Sequence, residues 1–222
     1  MDIEKLISEM TLEEKAAFVS GVDCLYTNPI PRLGIPSLRM SDGPHGLRVM
    51  SEPDEEGVRH SLPATAFPNS ATIASSWNPE NLRIMGEAIG EECRYYGVHT
   101  LLAPAVNIKR NPLCGRNFEY YSEDPLLAGK LGVAFVCGVQ SKGVGTSLKH
   151  FALNNNENNR NIDNSIASEA AMRKIYLKQF EYIVKHAKPT TVMCAYNRVN
   201  GVFCSENKIG RASCRERVSL CV

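Results

Sequence analysis

The sequence predicts an α/β fold built on a parallel sheet, and three observations predict it. Strand-like and helix-like segments alternate along most of the chain, each stretch long enough for a βαβ unit with a loop. Three of the helices open on recognisable capping signals. Polar and ionisable residues gather at or just past the C-terminal ends of the predicted strands. The alternation alone fits a doubly wound open sheet or an eight-stranded barrel equally well. The polar placement favours the barrel, where those strand ends converge on one mouth.

The elements follow in order. Ile3, Leu6, Ile7 and Met10 have helical spacing, and Thr11-Leu-Glu-Glu14 is a capping box that starts a second helix. Residues 36–40 read as a short strand delivering Ser41-Asp42-Gly43-Pro44 to a turn. The polar stretch 51–60 reads as a surface loop, and 71–76 as a strand. Asn78-Pro79 places an N-cap and a first-turn proline at the head of a helix running to Tyr96. A strand over 99–103 stops before Pro104. Asp124-Pro125 opens the next helix, which runs to Lys142 and is closed by Gly143. A strand over 144–149, a helix over 168–187 and a strand over 190–196 complete the pattern.

Composition narrows the classes of function. With 25 basic against 24 acidic residues and a net charge of +1, no overall field attracts nucleic acid or an anionic membrane. The longest apolar run, 131–139, is broken by glycine and too short to span a bilayer. The opening MDIEKLISEM lacks the features of a secretory signal, so a cytoplasmic location is expected. The 8 cysteines form no C-x-x-C pair; Cys137 and Cys194 lie in apolar stretches and are expected to be buried, reduced thiols. No metal or cofactor is expected: His150 and Glu157 do not make a ligand cluster, and no phosphate-binding loop or nucleophile elbow occurs.

The candidate mouth holds Asp42 and Arg48, Arg116 and Glu119, then Lys149, His150, Glu157 and Arg160, and finally Met193 and Tyr196. Carboxylates, guanidinium groups, an ammonium, an imidazole and aromatics together offer donors and acceptors in several directions, as a polyhydroxylated ligand requires. Each has a plainer reading. Asp42 could cap its turn, Arg116 and Glu119 could be a structural ion pair, and the run 154–159 could be only a polar loop. Lys149 directly after an apolar strand is harder to dismiss, because a buried ammonium needs partners.

The motifs LRMSDGPHGLR (38–48), TAFP (65–68), SWN (76–78), LAP (102–104), NIKRNP (107–112), GRNFEYYSEDP (115–125), KHFA (149–152) and CAYN (194–197) come in an order and spacing that resembles glycoside hydrolase family 3, the bacterial β-glucosidase type. The resemblance implies a (β/α)8 barrel first domain, of which 1–208 is an incomplete N-terminal part, and hydrolysis of β-glucosides with retention. It implies that Asp42, Arg48, Lys149 and His150 grip the glycosyl ring. Arg116 and Arg160 would lie near the hydroxyl beside the reacting carbon, and Met193 and Tyr196 beside the anomeric carbon. KHFA, rather than KHFPGH, points away from the hexosaminidase branch.

The resemblance also implies what this stretch lacks. A retaining glycosidase uses two carboxyl groups roughly 5–5.5 Å apart. The family's nucleophile aspartate and acid/base are expected beyond Val222, in the rest of the barrel and in C-terminal domains. Residues 209–222 resemble a translated sequencing-adaptor read-through and are read as a non-native tail. Alone, the fragment is expected to be inactive and poorly folded. Two other readings stay open: a non-catalytic sugar-binding or scaffold protein, and a different barrel enzyme using Glu119 or Glu157.

Overall fold

The computed structural model describes residues 2–208; the reading of 209–222 as a non-native tail lies outside the described residues. Two short helices come first, α1 (Ile3–Glu9) and α2 (Leu12–Ser20). The predicted capping box opens α2: Thr11 Oγ1 accepts from the Glu14 N–H, and Glu14 accepts from the Thr11 N–H. The first sheet strand, β1 (Met40–Ser41), sits at the end of the predicted 36–40 segment.

The expected strand over 71–76 is instead a helical turn, α3 (Ser70–Ala74). The side chain of Asn69 accepts from the Thr72 N–H and starts the turn. The long helix α4 (Pro79–Tyr95) begins at the Asn78 cap as expected. It buries Leu82, Met85, Gly86, Ile89, Gly90 and Cys93, a stripe of helical period. Strand β2 (Thr100–Leu101) follows. Helix α5 (Pro125–Ser141) is capped by Asp124, which accepts from the N–H groups of Leu126 and Leu127.

Strand β3 (Gly145–Phe151) is the longest, and β4 (Asn164–Ser165) lies in the loop region after it. The expected single helix over 168–187 is in three pieces: α6 (Glu169–Ala171), a π-helical turn Met172–Tyr176, and α7 (Lys178–Ala187). Strand β5 (Thr191–Cys194) ends sooner than expected. The chain then turns at Asn200-Gly201, both at positive φ (51° and 88°), to form an unanticipated hairpin of β6 (Arg198–Val199) and β7 (Val202–Phe203). Strand β4 pairs in parallel with β6.

The main sheet has the order β1-β2-β3-β5, every pair parallel, with Met40 opposite Thr100, Thr100 opposite Gly145 and Ser147 opposite Thr191. Each strand lies beside its predecessor in the chain. A doubly wound sheet reverses direction at a switch point; a barrel wall does not. The described strands therefore form a contiguous part of a (β/α)8-type wall, with α4, α5 and α7 outside it.

Helices α4 and α5 approach closely because Gly86 and Gly138 face the opposing backbone. A Cβ on Gly138 would stand 2.3 Å from the Arg83 carbonyl oxygen, and one on Gly86 2.6 Å from that of Phe135. Leu82, Ile89, Leu131, Phe135, Val136, Leu148, Phe180 and Ile183 fill the space between helices and sheet. Phe151 meets Phe180 edge to face with centroids 5.1 Å apart. The cysteine expectation needs correction. Cys93, Cys114 and Cys204 are buried, but Cys137 is exposed, because its place on α5 faces away from both α4 and the sheet; Cys194 is half-buried. Cys24, Cys93, Cys114, Cys137 and Cys204 are free thiols.

Candidate active site

The site forms where the loops after β1, β2 and β3 meet. After β1 the chain makes a tight turn in which the Arg48 N–H donates to the Asp42 carbonyl at 2.9 Å, and Ser41 Oγ donates to the carbonyls of Asp42 and Arg48. Gly43 (φ 128°) and Gly46 (φ 150°) make the turn possible, since a Cβ on Gly43 would stand 2.1 Å from the Gly46 carbonyl oxygen. After β2 the segment around Pro104 runs beside β3: the Lys149 N–H donates to the Pro104 carbonyl and the Val106 N–H to the Lys149 carbonyl. Asn107, 1% exposed, then clamps His150 from both sides, accepting from its N–H at 2.8 Å and donating to its carbonyl at 2.9 Å.

These backbones bring six ionised side chains into one alternating series. Lys149, only 3% exposed, contacts Asp42 Oδ1 at 3.3 Å and Glu119 Oε2 at 3.9 Å. The other oxygen of Glu119 holds Arg116 Nε. Arg116 lies 4.0 Å from Glu157, and Glu157 Oε2 contacts Arg160 at 3.0 Å. The Arg160 guanidinium rests over the Tyr196 ring, 5.2 Å from its centroid. Asp42 and Tyr196, at the two ends, are exposed. Buried charges are tolerable only when paired in this way.

Neutral groups fill the gaps. Asn154 Nδ2 donates to Glu157 Oε1 at 2.9 Å and to the Tyr120 hydroxyl at 3.1 Å, and that hydroxyl lies 3.3 Å from His150 Nδ1. Burial, with the charges of Arg116, Lys149 and Arg160, holds the His150 pKa well below its ordinary value, so the imidazole is neutral. His45, in the Asp42–Arg48 turn, is likewise lowered to about 4, by burial first and by Lys149 second.

Of the residues singled out from sequence, Asp42, Arg116, Lys149, His150, Arg160 and Tyr196 meet in this cluster. Arg48 joins it by its backbone, with an exposed side chain, and Met193 lies half-buried on β5. Glu119 and Glu157, read from sequence as half of an ion pair with Arg116 and as the carboxylates a different barrel enzyme would use, are the bridging anions. The run 154–159 is more than a polar loop, because Asn154 is 4% exposed and bonded on several sides. Sequence reasoning gave no role to Asn107, Tyr120, Asn154 or His45. For Asn107, Tyr120 and His45 the available signal was a polar residue within a quoted motif; for Asn154 it was a place in the polar run 154–159.

A family model described as the Glycosyl hydrolase family 3 N terminal domain matches residues 35–212. The chain belongs to glycosyl hydrolase family 3. Among its family 3 relatives, the thermostable β-glucosidase B of Acetivibrio thermocellus is 53% identical over 209 residues, 94% of this chain and 28% of that protein. The exo-α-(1→6)-L-arabinopyranosidase of Bifidobacterium longum is 52% identical over 203 residues, covering 90% of this chain and 27% of that protein. Among solved family 3 structures, β-glucosidase 3B of Thermotoga neapolitana in complex with glucose superposes with a TM-score of 0.87 at 48% identity, covering 96% of this chain and 32% of that one. The chain thus spans 28% and 27% of the two curated relatives. No described helix is long and apolar enough to cross a membrane.

Proposed function

We propose that this chain is the sugar-gripping part, residues 1–208, of the first barrel domain of a longer enzyme that hydrolyses β-glucosides with retention. The observation that carries the reading is the alternating series from Asp42 to Arg160, centred on the buried Lys149 and Glu119, at the mouth of a family 3 barrel wall. Asp42, Arg48, Lys149 and His150 would hold the ring hydroxyls, with Arg116 and Arg160 nearer the reacting carbon and Met193 and Tyr196 shaping the pocket beside it. Charged donors and acceptors fixed in advance strengthen their hydrogen bonds as the oxocarbenium-like transition state develops.

Glu119 and Glu157 are not placed to do the bond chemistry. Both oxygens of Glu119 and of Glu157 are occupied by cations or an amide. Neither is free to attack an anomeric carbon or to keep a proton for a leaving group. As the resemblance to the family implies, the nucleophile and acid/base are assigned to the remainder of the protein, which acts as this chain's essential partner. Five free thiols, Cys24, Cys93, Cys114, Cys137 and Cys204, suit a reducing, cytoplasmic setting.

A relative named for α-L-arabinopyranoside cleavage is as similar as the β-glucosidases, which favours a second specificity on the same mechanism. The test is hydrolysis of the two p-nitrophenyl glycosides by the full-length gene product, with NMR of the first-formed anomer. Release of β-glucose from the β-glucoside supports the reading. Inversion, or glucose binding without turnover of either substrate, overturns it in favour of another mechanism or a sugar-binding protein.

A further inference from the structure

His45 lies at the tip of the turn between Asp42 and Arg48 and is tied to the segment leading into α3 at three points. Its carbonyl accepts from the Phe67 N–H at 2.8 Å. Its Nε2 accepts from the Ser70 N–H at 2.9 Å and lies 2.7 Å from Ser70 Oγ. A backbone N–H can only donate, so Nε2 carries no proton and the ring is the Nδ1–H tautomer. Ser70 is 3% exposed, so its N–H has no water to turn to. The ring also packs edge-on against Phe118, centroids 6.0 Å apart, in the loop that supplies Arg116 and Glu119.

Asp42, by contrast, has a side chain 53% exposed whose one side-chain partner among the described residues is Lys149. Nothing on its own strand fixes where the carboxylate stands. We propose that His45 is a positioning residue: by accepting from Ser70 it pins the Asp42–Arg48 turn to α3 and so sets the Asp42 carboxylate on Lys149. The proposal rests on the reading of Asp42 as a sugar ligand. The ring's neutrality at ordinary pH, with Lys149 as the charge facing it, keeps the acceptor available.

The test uses the full-length gene product, with His45→Leu and His45→Gln each made alone and on an Asp42→Asn background, and reads glucose affinity by calorimetry. Losing the acceptor in H45L should weaken glucose binding about tenfold, and the side-chain oxygen of H45Q should restore it to within about threefold. On the D42N background H45L should add nothing, because the latch acts through Asp42. Additive losses, or an H45L protein that binds as well as its parent, overturn the proposal. Imidazole nitrogen shifts of the unmutated protein provide a check that needs no variant to fold: Nδ1–H supports the latch, and Nε2–H overturns it. A D42N protein that binds glucose as before sinks the sugar reading itself, and the imidazole spectrum then decides the latch alone.

Discussion

Glu119 joins the two halves of the ionic series, with Arg116 on one oxygen and Lys149 on the other, all at low exposure. Replacing it by alanine leaves Lys149 with Asp42 alone and Arg116 with Glu157 alone, at 4.0 Å, and losing one partner of a buried pair costs about 3–5 kcal/mol. Glu119→Ala should therefore lower the urea midpoint of the full-length protein steeply, and Glu119→Gln, which keeps an acceptor, less so. Equal midpoints for wild type and alanine would contradict the pairing. The histidines add a pH dependence of definite sign. In the unfolded chain they protonate near the ordinary 6.5; folded, His45 waits until about 4, and burial holds His150 well below its ordinary value too. Between those values the unfolded state binds more protons, so stability is complete above about pH 6.5 and falls as the pH drops towards 4. Melting temperatures recorded across that window should decline before the carboxylates titrate.

Among the elements, the α4–α5 contact makes the sharpest demand. At Gly138 a methyl group meets backbone on α4, the Arg83 carbonyl at 2.3 Å, whereas at Gly132 it meets side chains, Ile183 Cδ1 at 2.4 Å foremost. Gly138→Ala should cost about 1–3 kcal/mol, with a smaller loss for Gly132→Ala; a reversed order in thermal melts would refute the account. The long elements were legible in the sequence for the same reason they are stable. Seventeen-residue α4 and α5 carry proline-marked starts and enough turns for a buried face to be recognised. The failures were short or interrupted. Five-residue α3 shows no period, and Thr72 and Ile73 suggested a strand until Asn69 was seen to cap it. The π turn at 172–176 shifts the register within a span that reads as continuous helix. Likewise Lys149 and Asp42 were visible as strand-end polar groups, but Asn107 holding His150 depends on contacts between residues 43 positions apart, which no local pattern reports.

At the scale of the whole molecule, the parallel order β1-β2-β3-β5 presents one face of a barrel wall and leaves the far side of β5 without a strand among the described residues. The proposed function puts the shell for the ring hydroxyls on this wall and the bond-breaking carboxylates elsewhere. Residues 2–208 produced alone should thus bind glucose more weakly than the full-length protein and release no nitrophenol from a β-glucoside; turnover by that segment would overturn the division. The ionic series itself is balanced, with Asp42, Glu119 and Glu157 against Lys149, Arg116 and Arg160. A neutral sugar entering it displaces no counterions and feels no net field. On the proposed function, its affinity should hold nearly flat from dilute buffer to molar salt, which titrations of glucose at the two extremes would check.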